Sequence, residues 1–212
     1  MNFDLAAIAI FVALMFDVLD GRVARITRTE SDFGAEYDSL SDMVAFGAAP
    51  ALIIYEWSLK GMGKFGWFAA FAYCGCAALR LARFNTTPIN TGEEKNFFRG
   101  LPSPAAAGLL AGFVWTVEAY DFFIFNLDWI VWGIALFAGG SMVSNIPFYN
   151  GKGINIRKAV PFWVVVLIIF VIILTFQITE NLPEVFFVFF GLYSLSGYIH
   201  FCGNRLVEKR KS

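Results

Sequence analysis

Seven stretches of about 20 mostly apolar residues follow one another with only short polar breaks, and this pattern leaves few folds open to the chain. They run roughly over 3–24, 34–58, 65–86, 102–119, 122–146, 159–178 and 183–203. Each is long enough to cross the hydrocarbon core of a bilayer as a helix. In that solvent every backbone polar group must be satisfied within the segment, so helices are the economical solution. Of the 212 residues 58% are hydrophobic and 25 are phenylalanine, more apolar surface than a soluble domain of this size can bury. The expected fold is therefore all-α, a polytopic transmembrane helix bundle with seven spans. The net charge of −1 says nothing by itself about partners, and no nucleic-acid partner is expected.

Charge placement orients the spans. One set of helix ends carries 14 of the 16 lysines and arginines, among them Arg22, Arg25, Arg80, Arg83, Arg99 and Arg157. The opposite set carries Lys60 and Lys64 together with Glu118, Asp121, Asp128, Glu180 and Glu184. By the positive-inside rule the basic side faces the cytoplasm. This puts the N-terminus outside and the C-terminus inside. Met1 stands almost at the lip of the first span, with no signal pattern or flanking charge to explain an outside start. The chain reads as if an eighth, upstream helix were missing, the alternative being a true N-out protein.

Four carboxylates lie inside this apolar frame, on the basic side. Asp17 and Asp20 are three residues apart in the first span, and Asp38 and Asp42 four apart in the second. Such spacings place each pair on one helical face. A charged side chain at mid-helix costs about 2.5–3.5 kcal/mol on insertion scales, so four of them point to metal binding or proton movement. Four carboxylates in one pocket cannot all stay ionised without cations. Two hard divalent ions, Mg²⁺ or Mn²⁺, suit oxygen-only ligands. Zinc does not, because no histidine or cysteine is near. Gly21 and Ala24 continue the Asp17 face without bulk, so something can approach the backbone closely there. Arg25 adds a fork suited to phosphate, and Ser31 a hydroxyl in the loop. Together these suggest a diphosphate carrying a nucleoside. An ion-transport path, the competing class, would use intramembrane acids too but has no need of the Gly-x-x-Ala-Arg step. Cys74, Cys76 and Cys202 read as small buried thiols in helices, and His200, the only histidine, sits near the end of the last helix.

The pattern Asp17-x2-Asp20-Gly21-x2-Ala24-Arg25-x8-Gly34-x3-Asp38-x3-Asp42 is similar, without a gap, to the signature of the CDP-alcohol phosphotransferase family. Beyond it, the run from Ser41 to Pro50, Leu81-Ala82-Arg83-Phe84-Asn85, Gly100-Leu101-Pro102 and Met142-Val143-Ser144-Asn145 resemble the phosphatidylserine synthase branch. The resemblance reaches about residue 150. It implies a catalytic bundle over 1–150, with 151–212 adding two helices to the same membrane domain. It implies transfer of a phosphatidyl group from CDP-diacylglycerol to L-serine with release of CMP, at the cytoplasmic side of the inner membrane. Asp17, Asp20, Asp38 and Asp42 would hold the metals and Asp42 would also be the base. Gly21, Ala24, Arg25, Ser31 and Gly34 would contact the CDP-lipid. From their place at the cytoplasmic end of the third span, Arg80, Arg83 and Asn85 are the candidates for the serine site. A sister enzyme acting on glycerol 3-phosphate or inositol phosphate is the alternative, since Arg80 and Arg83 also suit a phosphorylated acceptor. A homodimer is the expected assembly.

Overall fold

The computed structural model describes residues 2–27, 31–86, 97–120, 126–149 and 182–209. The expected span at 159–178 lies outside the described residues. Among the described residues the structure is helical, as expected, apart from one short strand pair and the connecting turns. Helix α1 is Phe3–Thr27 and α2 is Asp32–Asp42; α3 is Ala49–Trp57, and a 3-10 turn, Leu59–Met62, leads into α4, Lys64–Thr86. Then come β1 (Phe97–Arg99), α5 (Ser103–Tyr120), α6 (Leu127–Val143), β2 (Pro147–Tyr149) and α7 (Leu182–Lys209). Among the described residues, α4 and the Leu182–Cys202 part of α7 are long and apolar enough to cross a membrane, and α6 is apolar but shorter.

The second span is not the single helix expected over 34–58. Between α2 and α3 the chain widens into a π-helical turn, Met43–Ala48, where the Ala49 N–H donates to the Val44 carbonyl five residues back. The physical reason lies one turn on. Pro50 has no N–H to give the Phe46 carbonyl four residues before it. That carbonyl accepts a buried hydrogen bond from the Tyr73 hydroxyl of α4 instead, at 2.9 Å. Gly47 lets the widened turn lie against α4, since a Cβ there would stand 3.2 Å from Ala77 Cβ.

Helix α5 is the centre of the bundle. It is buried from Ala105 to Trp115 and is rich in alanine and glycine, which is why it packs closely. It lies against α7 and α1. A Cβ on Gly108 would meet the Phe190 ring at 2.8 Å, and one on Gly112 would meet the Phe187 backbone at 3.0 Å. Phe11 of α1 completes this seam against Trp115 and Phe186, with ring centroids 5.8 and 4.6 Å away. The outer faces are apolar too: Phe16, Leu52, Phe71, Leu79, Leu192 and Ile199 all point away from the core.

Polar contacts gather at the two ends of the bundle. At one end Trp57 Nε1 donates to Glu118 and the Ser58 hydroxyl to Asp128, both at 2.6 Å, and Lys60 pairs with Glu56 at 2.8 Å. At the other, β1 and β2 run antiparallel with Phe98 opposite Phe148. Gly100 ends this clasp at φ +83, where its N–H donates to the Ile146 carbonyl and a Cβ would collide with the Met142 carbonyl. Cys74 and Cys76 are half-buried in α4, but Cys202 is exposed on α7, not buried as expected, because it falls on the face that α7 turns away from α5.

Candidate active site

The acidic centre is built by two helix segments joined by a short connection. On α1, Asp17 and Asp20 are three residues apart; on α2, Asp38 and Asp42 are four apart. The start of α2 is set locally. The Ser31 hydroxyl caps it by accepting the Gly34 N–H at 3.0 Å. A Cβ on Gly34 would stand only 3.1 Å from that hydroxyl, so glycine keeps the cap tight. Carboxylate oxygens of Asp17, Asp20 and Asp38 come within 4.8 Å of one another. Asp42 joins them, standing close enough to Asp17 and Asp38 to feel their charge.

The π turn begins directly after Asp42. A π turn carries one more residue than an α turn, so the apolar face after it is rotated relative to the acidic face before it. Asp38 and Asp42 can thus look toward α1 while Phe46 and Gly47 are buried beside α4. Sequence reasoning read a continuous helix here; Gly47 followed by Pro50 was the available signal.

Four carboxylates this close repel strongly unless cations join them. The donor set is all oxygen, with two of the three clustered residues exposed and Asp17 half-buried. This fits hard divalent ions, which take carboxylates and retain waters. The same donors are a poor match for zinc.

The structure separates the three candidate acceptor residues. Arg80 of α4 is partly buried, and its charge acts on Asp42. Its Nη1 donates to the Ser103 hydroxyl at 2.7 Å. Arg83, one turn on, donates to Asn145 Oδ1 at 2.6 Å and reaches the Val143 carbonyl at 3.5 Å, tying α4 to the end of α6. The exposed Asn85 amide donates to the Ser39 hydroxyl at 2.9 Å, linking the end of α4 to the acidic helix. Gly21 lies half-buried one turn beyond Asp17. Ala24 and Arg25 continue α1, and their side chains fall outside what is described. Sequence reasoning missed Ser103, Tyr73 and Tyr193, the last a neighbour of Arg80 from α7. Ser103 directly follows the Gly100-Leu101-Pro102 motif, which was the one available pointer.

Such a site can clamp a polyanion through metal-bridged carboxylates and place a proton acceptor, Asp42, beside a cation, Arg80. Known proteins share its sequence. A CDP-diacylglycerol–serine O-phosphatidyltransferase of Helicobacter pylori (strain J99) is 38% identical over 198 residues, covering 93% of this chain and 80% of that protein. The enzyme of that name in Methanocaldococcus jannaschii is 45% identical over 111 residues, 52% of this chain and 51% of that one. Its Saccharomyces cerevisiae namesake is 40% identical over 115 residues, 51% and 41% of the two chains. Residues 1–139, which hold all four aspartates, Arg80 and Ser103, match the family described as CDP-alcohol phosphatidyltransferase, and to that family the chain belongs.

Proposed function

We propose that this protein transfers the phosphatidyl group of CDP-diacylglycerol to L-serine, giving phosphatidylserine and CMP. The observation that carries the reading is the four-aspartate cluster with Arg80 against Asp42, in a chain similar along most of its length to enzymes named for that reaction. Asp17, Asp20, Asp38 and Asp42 hold two divalent ions, Mg²⁺ or Mn²⁺. When bound, these neutralise the diphosphate and stabilise charge on the phosphorus and the leaving CMP. Gly21 and Ala24 leave room for the CDP moiety, Arg25 and Ser31 offer it donors, and Gly34 keeps the start of α2 near it.

Asp42 accepts the proton of the serine hydroxyl. The serine oxygen forms a bond to the β-phosphorus, the bond from that phosphorus to the CMP oxygen breaks, and CMP leaves with the electron pair. Arg80 pairs with the serine carboxylate, with Arg83 and Asn85 at the same end of α4. The apolar outer faces lie in the cytoplasmic membrane. The polar end that carries the aspartates faces the cytoplasm, and the acyl chains enter sideways from the bilayer. Residues 1–150 form the catalytic bundle and 151–212 complete the same membrane domain, which works as a homodimer.

The test is the purified protein in detergent with CDP-diacylglycerol and a panel of alcohols, following CMP release and the lipid product. Serine-dependent CMP release with phosphatidylserine as product is expected. Turnover confined to glycerol 3-phosphate or inositol phosphate would assign a sister reaction, in which the Arg80 and Arg83 end receives a phosphate in place of a carboxylate. Divalent-cation flux in vesicles without CMP release would move the protein out of the enzyme class.

A further inference from the structure

Arg80 is a cation whose charge acts on the acidic centre, and two contacts hold its guanidinium. Nη1 donates to the Ser103 hydroxyl at 2.7 Å, and the guanidinium carbon lies 5.9 Å from the centre of the Phe84 ring. A planar fork that is bonded at one nitrogen and laid over a ring has little freedom left to turn. Ser103 is itself held firmly. It is fully buried at the first turn of α5, the most enclosed helix of the bundle. Just before it, the Leu101 N–H donates to the Ser141 carbonyl at 2.9 Å, and Gly100 makes the left-handed bend that brings the chain into α5. On another side Tyr193 of α7 is close enough to Arg80 for its charge to act there. The hydroxyl of Ser103 is thus a fixed point, and Arg80 is the long, otherwise adaptable side chain referred to it.

We propose that Ser103 is the positioning residue that aims Arg80 at the acceptor alcohol, so that the first turn of the central helix sets acceptor affinity without touching the CDP-lipid. The inference rests on the phosphotransfer reading above. A guanidinium ordered before the acceptor arrives has less conformational freedom to lose on binding, and the gain falls on the ligand that it contacts. Loss of the Ser103 hydroxyl should therefore fall on acceptor binding and spare the diphosphate clamp.

The experiment is steady-state kinetics of the full-length protein in detergent with Mg²⁺, comparing wild type, S103A, S103C, S103T, R80A and the S103A/R80A double variant. S103A and S103C should raise the acceptor KM about tenfold, leaving the CDP-diacylglycerol KM within twofold. S103T, which keeps the hydroxyl, should stay within about threefold of wild type. S103A added to R80A should cost nothing more, because the hydroxyl would then have no guanidinium to hold. An unchanged acceptor KM in both S103A and S103C overturns the proposal. So does an equal rise in both substrates' KM values, or full additivity with R80A, either of which marks Ser103 as a packing residue. The kinetics are run with whichever alcohol the wild type turns over. An active wild type that ignores serine removes serine as the acceptor and leaves the Ser103 comparison to be decided on that other alcohol; a flat comparison in a serine-active enzyme removes Ser103 alone.

Discussion

Two demands meet on the carboxyl of Asp42. It stands close enough to Asp17 and Asp38 to feel their charge, and among the described residues Arg80 acts on it with a charge of the opposite sign. Changing Asp42 to asparagine keeps the shape and removes both the charge and the proton-accepting role. The expected outcome is a fall in turnover of at least about 100-fold. CDP-diacylglycerol affinity should be largely kept, as read by CMP release and by lipid binding to the purified variant. Near-normal CMP release would take the base away from Asp42. Gly21 makes a different prediction. Leucine is favourable in an apolar helix, so Gly21→Leu should insert in the membrane as wild type does. It should nevertheless lose nucleotide binding, because its side chain would fill the room beside Asp17 and Asp20. Unchanged affinity for CDP-diacylglycerol in a binding assay would show that nothing approaches the backbone there. Both predictions concern residues whose importance was visible from spacing alone, since i, i+3 and i, i+4 steps are read directly from a helix.

At the scale of elements, the break between α2 and α3 decides how the acidic face is presented. Without the π turn, the faces carrying Asp38 and Phe46 would keep one helical register. The turn is held by the Tyr73 hydroxyl on the Phe46 carbonyl, a buried bond in which Tyr73 is wholly enclosed. Tyr73→Phe leaves that carbonyl short of its partner in a place where Pro50 supplies none. The expected loss is about 1–3 kcal/mol of stability, the usual cost of an unsatisfied buried acceptor. Thermal unfolding in detergent measures it, and a midpoint unchanged from wild type would mean that another donor satisfies Phe46. The strand clasp is a second element that periodicity did not reveal. Three-residue strands separated by nearly 50 positions carry no alternation long enough to read, and their pairing comes from where α5 and α6 place their ends.

For the whole molecule, the proposed binding of divalent ions by Asp17, Asp20, Asp38 and Asp42 would make those ions part of the working state. Activity should vanish in excess chelator and return with Mg²⁺ or Mn²⁺. The metal-bound form should also unfold at a higher temperature than the stripped one, since a ligand that binds only the folded state stabilises it. Full turnover after metal stripping would point to other chemistry. The surfaces tell a parallel story. Polar bonds collect at the two ends of the bundle, and large apolar side chains such as Phe71, Leu192 and Ile199 cover its flanks. An apolar flank of that extent suits the membrane setting proposed for the protein.

The all-helical class, the apolar segments and the two acidic pairs were legible in the residues because each depends on local order: hydropathy over a window and side-chain position around one helix. The family followed from a spacing that local geometry preserves. Where α2 gives way to the π turn, that Tyr73 takes up the carbonyl Pro50 leaves open, and that Arg80 leans on Ser103 while Arg83 turns to Asn145 were decided only by the fold. Those contacts join residues 23 to 62 positions apart. Which of two arginines three residues apart reaches the acidic centre depends on what stands opposite each of them, and only the packing of α5, α6 and α7 around α4 supplies that.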